Sequence, residues 1–373
     1  SAFAACGGPV TGRQWAVGRA DRQSSPTRLP GENCPVLTIK LGASNVYLIS
    51  TGSDYVAIDA GPDFEGASDS ARAQMAAAGI EPRAVGSVFV THGHPDHCGL
   101  STWWQDEAGA EVWVPAGDLS RVEAGGRDPI LIRELAFDYL AKNGVPADLI
   151  ARTRSRPAGR SHVSGARSDA EGRLGNLRSV APEHGQWPAP LRATPATANR
   201  LIEDYQSITI GALHLQPIIC PGHTPASTVF LDEGSGDLFT GDHVLERMAP
   251  TPGIHFNMSG NRFRSLPDFM RSLQTVRSLS PRRVLPGHGA PFTDLAGAVD
   301  RTAGVFEQRA KRVLRKLVSG PASAYELALR LYPHLRPSAT WLVMAEIIGL
   351  LDLLEERGQV APLHEDTLSY RAT

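Results

Sequence analysis

Three histidines and one aspartate lie within six consecutive positions of the segment FVTHGHPDHCG, residues 89–99. These side chains, His92, His94, Asp96 and His97, offer imidazole nitrogens and carboxylate oxygens, which are good ligands for zinc and similar transition metals. Successive side chains of an extended loop point to opposite sides, so a single metal ion would hardly use all four. The spacing therefore predicts that this loop contributes to a site for two metal ions.

Three more potential ligands follow strand-like segments later in the chain. His223 follows LQPIIC in the motif PGHTPAS, Asp242 follows DLF in TGDH, and His288 follows RRVL in PGHGAP. Each comes just after the C-terminal end of a predicted strand, where α/β folds gather functional loops along one edge of a sheet. We therefore expect these three side chains to join the first loop in one dinuclear site.

The elements that must position these side chains alternate between short strands and helices from residue 36 onward, as is typical of a layered α/β fold. Strands are predicted at VLTIKLG, NVYLIS, YVAIDAG, AVGSVFV, AEVWVP, ITIGALHLQPIIC, STVFLDE, DLFTGD and RRVLPGHG. The segment DSARAQMAAAG predicts a helix that starts after Asp69 and ends at Gly79, and a helical pair is predicted around IRELAFDYLAKNGV. Residues 119–200 interrupt the alternation, and their Arg-, Gly-, Ser- and Pro-rich part, residues 152–200, is predicted to be a surface excursion.

The C-terminal part of the chain has a different pattern. Helical spacing is found in AVDRTAGVFEQRAKRVLRKLV, SAYELALRLY and TWLVMAEIIGLLDLLEERG, and the tail QVAPLHEDTLSYRAT is typical of a two-stranded hairpin. This order predicts a winged-helix domain at residues 296–373, after a catalytic domain at residues 36–295 and an N-terminal extension at residues 1–35. The Lys and Arg residues of the first helix would suit nucleic acid, but nearby Glu residues dilute the charge, so we favour a structural role.

Composition and charge narrow the function classes. The chain has 373 residues, a formal net charge of −2 and a pI near 6.6, which argues against a general polyanion binder. Its four cysteines, Cys6, Cys34, Cys98 and Cys220, form no CxxC pair, so we expect reduced thiols and a cytoplasmic protein. No uninterrupted run of about 18 apolar residues occurs, so no membrane-spanning segment is expected.

Residues 92–97 match the HxHxDH signature of the metallo-β-lactamase superfamily position for position, and the chain also resembles that superfamily in its later His, Asp and His motifs. The resemblance implies an αββα sandwich that holds two divalent metal ions; zinc is the expected metal, with iron or manganese as alternatives. The implied ligands are His92, His94 and His223 for one metal, Asp96, His97 and His288 for the other, and Asp242 as a bridge. Asp59, in AIDAG at a strand end, becomes a candidate to orient a ligand histidine, with a turn-forming role as the alternative.

A narrower resemblance, to lactamase-beta-like and glyoxalase-II-like hydrolases with a C-terminal winged helix, rests on SNVYLI, PGHTPAS, GDHVL, LPDFMRSL and LPGHGAPF. It implies hydrolysis of a small acyl substrate (a thioester, ester, lactone or amide) by a metal-bridging hydroxide, with Asp96 as the catalytic proton acceptor. The alternatives are a single-strand nucleic-acid phosphodiesterase and an iron-dependent redox enzyme. A homodimer is also considered, and His243 and His255 are expected to pack rather than to contact substrate.

Overall fold

The computed structural model describes residues 36–154, 191–192, 194–364 and 366–373. The predicted N-terminal extension, residues 1–35, lies outside the described residues, as does most of the predicted surface excursion at 152–200. The remaining segments form two sheets with helices on both outer sides. These layers bring the predicted ligand loops to one end of the molecule.

The first sheet has six strands in sequential order, β1 to β6. They are β1 (Val36–Leu41), β2 (Ser44–Ser50), β3 (Tyr55–Ile58), β4 (Val85–Phe89), β5 (Glu111–Pro115) and β6 (Arg200–Ile202). The first three strands pair antiparallel, and β3 to β6 pair parallel. The C-terminal ends of β3, β4 and β5 therefore lie at the same edge of this sheet.

The second sheet has five strands, namely β7 (Ile208–Ile210), β8 (Leu213–Ile219), β9 (Thr228–Asp232), β10 (Asp237–Gly241) and β13 (Arg283–Pro286). Between β10 and β13 the chain forms a separate hairpin, β11 (His255–Phe256) and β12 (Arg262–Phe263). Their order in the sheet is β13-β10-β9-β8-β7. Since β13 is parallel to β10 while β9 is antiparallel to both β10 and β8, strands β8, β10 and β13 all end at one edge.

The helices are α1 (Ala67–Ala77), α2 (Pro95–Cys98), α3 (Ser101–Ala108), α4 (Leu119–Glu123), α5 (Ile130–Lys142), α6 (Ala147–Arg154), α7 (Ser265–Arg277), α8 (Leu295–Leu317), α9 (Ala324–Leu331) and α10 (Thr340–Glu356). Helix α1 begins three residues earlier than the predicted start at residue 70. Asp69 therefore lies in the first turn of the helix and not before it. In the first turn its carboxylate is close to the positive end of the helix dipole.

Three apolar clusters separate the four layers. Between the sheets, Tyr47 and Phe89 meet Phe239 and Phe230 in edge-to-face contacts with ring centroids 5.5 Å and 5.8 Å apart. A second cluster joins the first sheet to α1 and α3, and a third joins the second sheet to α7 and the later helices. The order helices, sheet, sheet, helices is the αββα sandwich expected from the sequence.

The C-terminal helices α8, α9 and α10 are followed by the expected hairpin, β15 (Val360–His364) and β16 (Leu368–Ala372), and β14 (Ala322–Ser323) adds a third strand in the order β14-β16-β15. Phe306 and Ile347 of these helices belong to the same apolar cluster as Ile218 of β8 and Phe269 of α7. Because this core is continuous with that of the sandwich, the division at residue 296 and the winged-helix classification stay predictions.

One helical stretch of the described residues, Pro337–Glu356, is long and apolar enough to cross a membrane. It includes α10, and 61% of its most apolar window is buried inside the protein. Eleven residues of α10 are buried, which is the pattern of a core helix of this composition.

The free thiols of the described residues, Cys98 and Cys220, are also buried, as expected for Cys98 as a small packing residue.

Candidate metal centre

All seven predicted ligands lie on loops or short turns that follow strand ends at one edge of the sandwich. The loop after β4 carries His92 and His94 and leads into the short helix α2, which carries Asp96 and His97. The other predicted ligands follow β8, β10 and β13. These side chains form three overlapping groups whose potential ligand atoms lie within 4.8 Å of one another. The structure therefore brings together every residue that the sequence selected.

The first group, here called the three-histidine cluster, consists of His92, His94 and His223. The Nδ1 atom of His94 lies 3.0 Å from Nε2 of His92 and 2.9 Å from Nε2 of His223. Three ring nitrogens thus converge on one point, as in a site that uses imidazole lone pairs to hold a transition metal.

The second group, here called the carboxylate cluster, consists of Asp96, His97 and His288. The Nε2 atom of His288 lies 3.3 Å from Oδ2 of Asp96, and Nε2 of His97 lies 3.7 Å from the same oxygen. Mixed nitrogen and oxygen donors of this kind suit zinc, manganese and iron alike.

Asp242 lies between the two clusters and turns one oxygen toward each. Its Oδ1 atom is 3.3 Å from Nε2 of His288 and 3.4 Å from Nε2 of His97, whereas its Oδ2 atom is 3.6 Å from Nε2 of His223. This is the geometry expected of a bridging carboxylate.

Unsatisfied polar atoms provide an independent test of whether these residues fit a metal. Nε2 of His97 and Oδ1 of Asp242 are buried and have no hydrogen-bond partner. Buried polar atoms are almost always satisfied, so such a pair requires an explanation. A cation at this point would satisfy both atoms, and the residues therefore fit a metal ion.

Outer contacts fix the orientation of most of the imidazoles. The ring nitrogens that face away from the centre lie close to the following atoms: Nδ1 of His97 to Oδ2 of Asp59 (2.7 Å), Nδ1 of His223 to the Thr251 carbonyl (3.0 Å), Nδ1 of His288 to the Ala43 carbonyl (2.9 Å) and Nδ1 of His92 to Oγ1 of Thr91 (3.1 Å). Such contacts select the tautomer and present the other nitrogen to a metal.

Asp59 lies where the sequence placed it, directly after β3, and is buried. Besides contacting His97, its carboxylate accepts hydrogen bonds from the backbone N–H of Thr91 at 2.7 Å and from Oγ1 of Thr91 at 3.1 Å. Its backbone has a left-handed φ of +63°, a conformation that Asp tolerates better than most residues. The turn and the orienting contact therefore coexist, and the two interpretations of Asp59 are not exclusive.

Glycines before the later ligands allow the loops to approach closely. A Cβ atom at Gly287, which precedes His288, would lie 2.6 Å from Cε1 of His97 and 2.8 Å from Oδ1 of Asp242. Gly241, which precedes Asp242, has a φ of +48°, and a Cβ atom there would lie 2.5 Å from Oγ1 of Thr91. The glycines of the PGH and TGD motifs are thus required by the packing of the ligand loops.

The two clusters differ in charge. Burial, and for His92 and His94 the neighbouring imidazoles, lower the pKa values of the three-histidine cluster, so its rings are neutral. In the carboxylate cluster burial also opposes charge, but Asp59, Asp242 and Asp96 outweigh it and raise the pKa of His97 well above its usual range. Asp242 likewise outweighs burial at His288 and raises its pKa to about 10.

Sequence reasoning missed a buried carboxylate that joins two ligand loops. Oδ2 of Asp118 accepts hydrogen bonds from the backbone N–H of Gly93 at 2.8 Å and from Oγ1 of Thr224 at 2.7 Å. Gly93 lies between two ligand histidines, and Thr224 follows His223. The rule that selected the ligands applies here too, because Asp118 comes just after β5.

His243 and His255, which lie outside the ligand set, are both buried, as expected for packing residues. His243 lies against Phe269 with ring centroids 5.0 Å apart. His255, in β11, contacts the backbone carbonyl of His223 through Nε2 at 3.0 Å. Its contact with a ligand residue was not anticipated.

Comparison with known proteins agrees with this geometry. The family model described as the Metallo-beta-lactamase superfamily matches residues 39–288. The "Probable metallo-hydrolase YqjP" of Bacillus subtilis is 25% identical over 88% of this chain and 92% of its own length. An "Atrochrysone carboxyl ACP thioesterase" of Aspergillus fumigatus is 27% identical, over only 40% of this chain and 44% of its own.

Solved structures share the fold. A metallo-beta-lactamase family protein from Thermus thermophilus superposes with a TM-score of 0.69 at 23% identity, covering 92% of this chain and 99% of that one. A beta-lactamase domain protein from Burkholderia ambifaria gives a TM-score of 0.65 at 20% identity, covering 91% and 92%. The fold and the site define a metal-dependent hydrolase. The chain belongs to the Metallo-beta-lactamase superfamily.

Proposed function

We propose that this protein is a dinuclear, zinc-dependent hydrolase that cleaves a small acyl substrate, namely a thioester, ester, lactone or amide. The observation that carries the proposal is the position of Asp242, whose two oxygens face two separate groups of ligands. A single metal would leave one of these groups without a function.

The roles of the chain's own residues follow from their positions. The three-histidine cluster and the carboxylate cluster would each hold one divalent metal, with Asp242 shared between them. When bound, such metals polarise the scissile carbonyl and supply an activated water at neutral pH. The Asp96 carboxylate, whose side chain is 13% exposed, is the proposed acceptor of the proton that must move as the acyl bond breaks. Through its contact with Nδ1 of His97, Asp59 would hold that imidazole in the orientation needed to bind a metal.

Two observations support an acyl substrate. The Aspergillus relative named above is described as an acyl-carrier thioesterase, and the net charge of −2 does not favour polyanions. The basic stretch of α8 is partly used in packing, because Arg309 pairs with the half-buried carboxylate of Glu346 in α10. That pairing favours the structural role of the C-terminal helices over nucleic-acid binding.

Elemental analysis of the purified protein, combined with hydrolysis assays on thioesters, lactones and a labelled single-stranded RNA, tests the proposal. We expect about two zinc ions per chain, acyl turnover, and loss of that turnover in His94→Ala. RNA cleavage without acyl turnover would instead indicate the phosphodiesterase, and iron in place of zinc the redox enzyme. An Asp96→Asn protein that keeps both full metal content and full turnover would refute the proton-accepting role of Asp96.

A further inference from the structure

A buried arginine lies behind the three-histidine cluster. Arg121 of α4 is only 6% exposed. Its Nη2 atom lies 2.9 Å from Nδ1 of His255 and also pairs with Asp128, while its Nη1 atom is 3.7 Å from Oδ1 of Asp118. Long cationic side chains are rarely buried unless paired, so this position is specialised. None of these three partners is one of the seven predicted ligands.

The contacts of His255 determine its tautomer. A guanidinium can only donate hydrogen bonds, so Nδ1 of His255 must accept from Arg121. A backbone carbonyl can only accept, so Nε2 must carry the hydrogen that His255 donates to the His223 carbonyl at 3.0 Å. Both partners have a single role, and His255 is therefore fixed as the neutral Nε2–H form. A side chain held in this way points its one donor at the backbone of a ligand residue.

Close packing also fixes the positions of Arg121 and His255. A Cβ atom at Gly93, between His92 and His94, would lie 3.1 Å from Cβ of Arg121, so the arginine stem lies directly against that backbone. A Cβ atom at Gly253 would lie 1.9 Å from Nε2 of His255, so only glycine permits the ring to occupy its place. Arg121 thus contacts the His92–His94 loop, and His255 contacts the His223 loop through its hydrogen bond.

We propose that Arg121 and His255 are positioning residues for the three-histidine cluster: Arg121 supports the His92–His94 loop and fixes His255, which in turn fixes the backbone of His223. The inference rests on the proposed metal centre. It assigns the pair to one cluster only, because the outer contacts of the carboxylate cluster are Asp59 and the Ala43 carbonyl, neither of which contacts Arg121 or His255. The role is structural support of ligands, without contact to substrate.

The test measures metal binding to the metal-free full-length protein by titration with zinc against a chelating indicator. His94→Ala and His288→Ala serve as references that identify the binding step of each cluster. His255→Phe keeps the ring volume but removes both hydrogen bonds. We expect it to weaken the step of the three-histidine cluster by about 10–100-fold, as for other residues that orient metal ligands, and to leave the carboxylate step within about threefold.

Two further variants separate positioning from general packing. His255→Gln keeps a donor that can reach the His223 carbonyl, so we expect it to recover most of the affinity lost in His255→Phe. The ¹⁵N NMR spectrum of the wild-type His255 imidazole should show the Nε2–H form. Arg121→Met removes the guanidinium that holds the ring, and we expect it to weaken the three-histidine step as His255→Phe does. Should Arg121→Met fail to fold, the His255 variants still decide the question, provided that their metal-free forms unfold at a temperature close to that of the parent.

Equal weakening of both steps in His255→Phe, or no weakening of either, would overturn the assignment of the pair to the three-histidine cluster. Wild-type His255 in the Nδ1–H form would overturn it as well. A wild-type protein that binds no zinc, or only one ion, would instead contradict the proposed dinuclear centre, so the two failures are distinguishable.

Discussion

The two clusters that form the halves of the proposed metal centre both face Asp242, but they differ in charge. The three-histidine cluster consists of neutral rings whose pKa values are lowered by burial. In the carboxylate cluster the acidic neighbours keep His97 and His288 protonated when only protein groups are considered. A metal would enter the first cluster against little competition, whereas in the second it must displace protons. The two halves therefore differ in what an incoming metal would have to displace.

Replacing the shared residue should produce the largest effect, because it damages both halves at once. In Asp242→Asn the bridging charge is lost, and we expect both metal-binding steps to weaken. Turnover should fall about 1,000-fold, since metal polarisation contributes several kcal/mol and about 1.4 kcal/mol is a factor of ten. Steady-state kinetics and elemental analysis measure the change. Asp300→Asn, which alters an exposed pair with Arg277, is the control, and full metal content with full turnover in Asp242→Asn would refute the bridging role.

The second prediction separates the halves. Asp59→Asn keeps the left-handed backbone, which Asn tolerates, but removes the charge that holds His97 by its Nδ1 atom. We expect the carboxylate step to weaken about 10–100-fold and the three-histidine step to change little. The same zinc titration that is used for His255→Phe measures it. Weakening of the three-histidine step instead would mean that the halves are not independent.

The third prediction concerns pH. Below its pKa of about 10, His288 is charged in the metal-free protein, so metal affinity of the carboxylate cluster should rise about tenfold per pH unit for each proton displaced. The three-histidine step should be nearly flat between pH 7 and about 8.5, because its rings already lack a proton in that range. Titrations in a series of buffers, with proton release followed directly, give both slopes. Equal slopes for the two clusters would contradict the proposed difference in their charge.

The same shift has a consequence for the metal-free protein, with the sign fixed by linkage. A raised pKa means that the charged His288 stabilises the fold fully below its unfolded value of 6.5. That contribution is lost as the pH rises toward about 10. Thermal unfolding of the metal-free protein should show it, and His288→Ala should flatten the dependence.

The convergence of the predicted ligands could be foreseen because they follow strands, and strand ends of one direction meet at one edge of a sheet. His92, His94, Asp96 and His97 are also close in sequence, so their proximity required no tertiary knowledge. The contact between Arg121 and His255 joins residues 134 positions apart. In the sequence Arg121 is one more arginine on a five-residue helix. Only the packing of its stem against the His92–His94 loop and its contact with His255 make it different from an exposed arginine.

Most strands and helices were likewise predictable from their periodicity, whereas the relation between the sandwich and the C-terminal helices was not. The spacing of α8 indicates an apolar face but not what that face packs against. In the structure it packs into the same core as Phe269 of α7. Helical patterns report burial along one element, and the identity of the neighbour comes from the three-dimensional arrangement.

The C-terminal helices also contact the hairpin that carries His255. Arg262 of β12 forms a two-pronged ion pair with Asp352 of α10, with N–O distances of 2.7 Å and 2.5 Å, and Asp352 is only 2% exposed. In the hairpin, His255 lies opposite Phe263. Helix α10 therefore supports the hairpin whose His255 contacts the His223 carbonyl.

Asp352→Asn should thus have the smallest effect on the centre, and on one half only. It leaves the Arg262 charge without its full partner, and breaking a buried pair typically costs about 3–5 kcal/mol of stability. The metal site lies beyond the hairpin, so we expect the three-histidine step to weaken by less than the roughly tenfold lower limit for direct orienting residues. Glu356→Gln on the same helix removes an exposed pair with Arg271 and should cost at most about 1 kcal/mol. A drop in the carboxylate step in Asp352→Asn would mean that α10 supports the whole centre, and the contrast between its halves would then be one of charge alone.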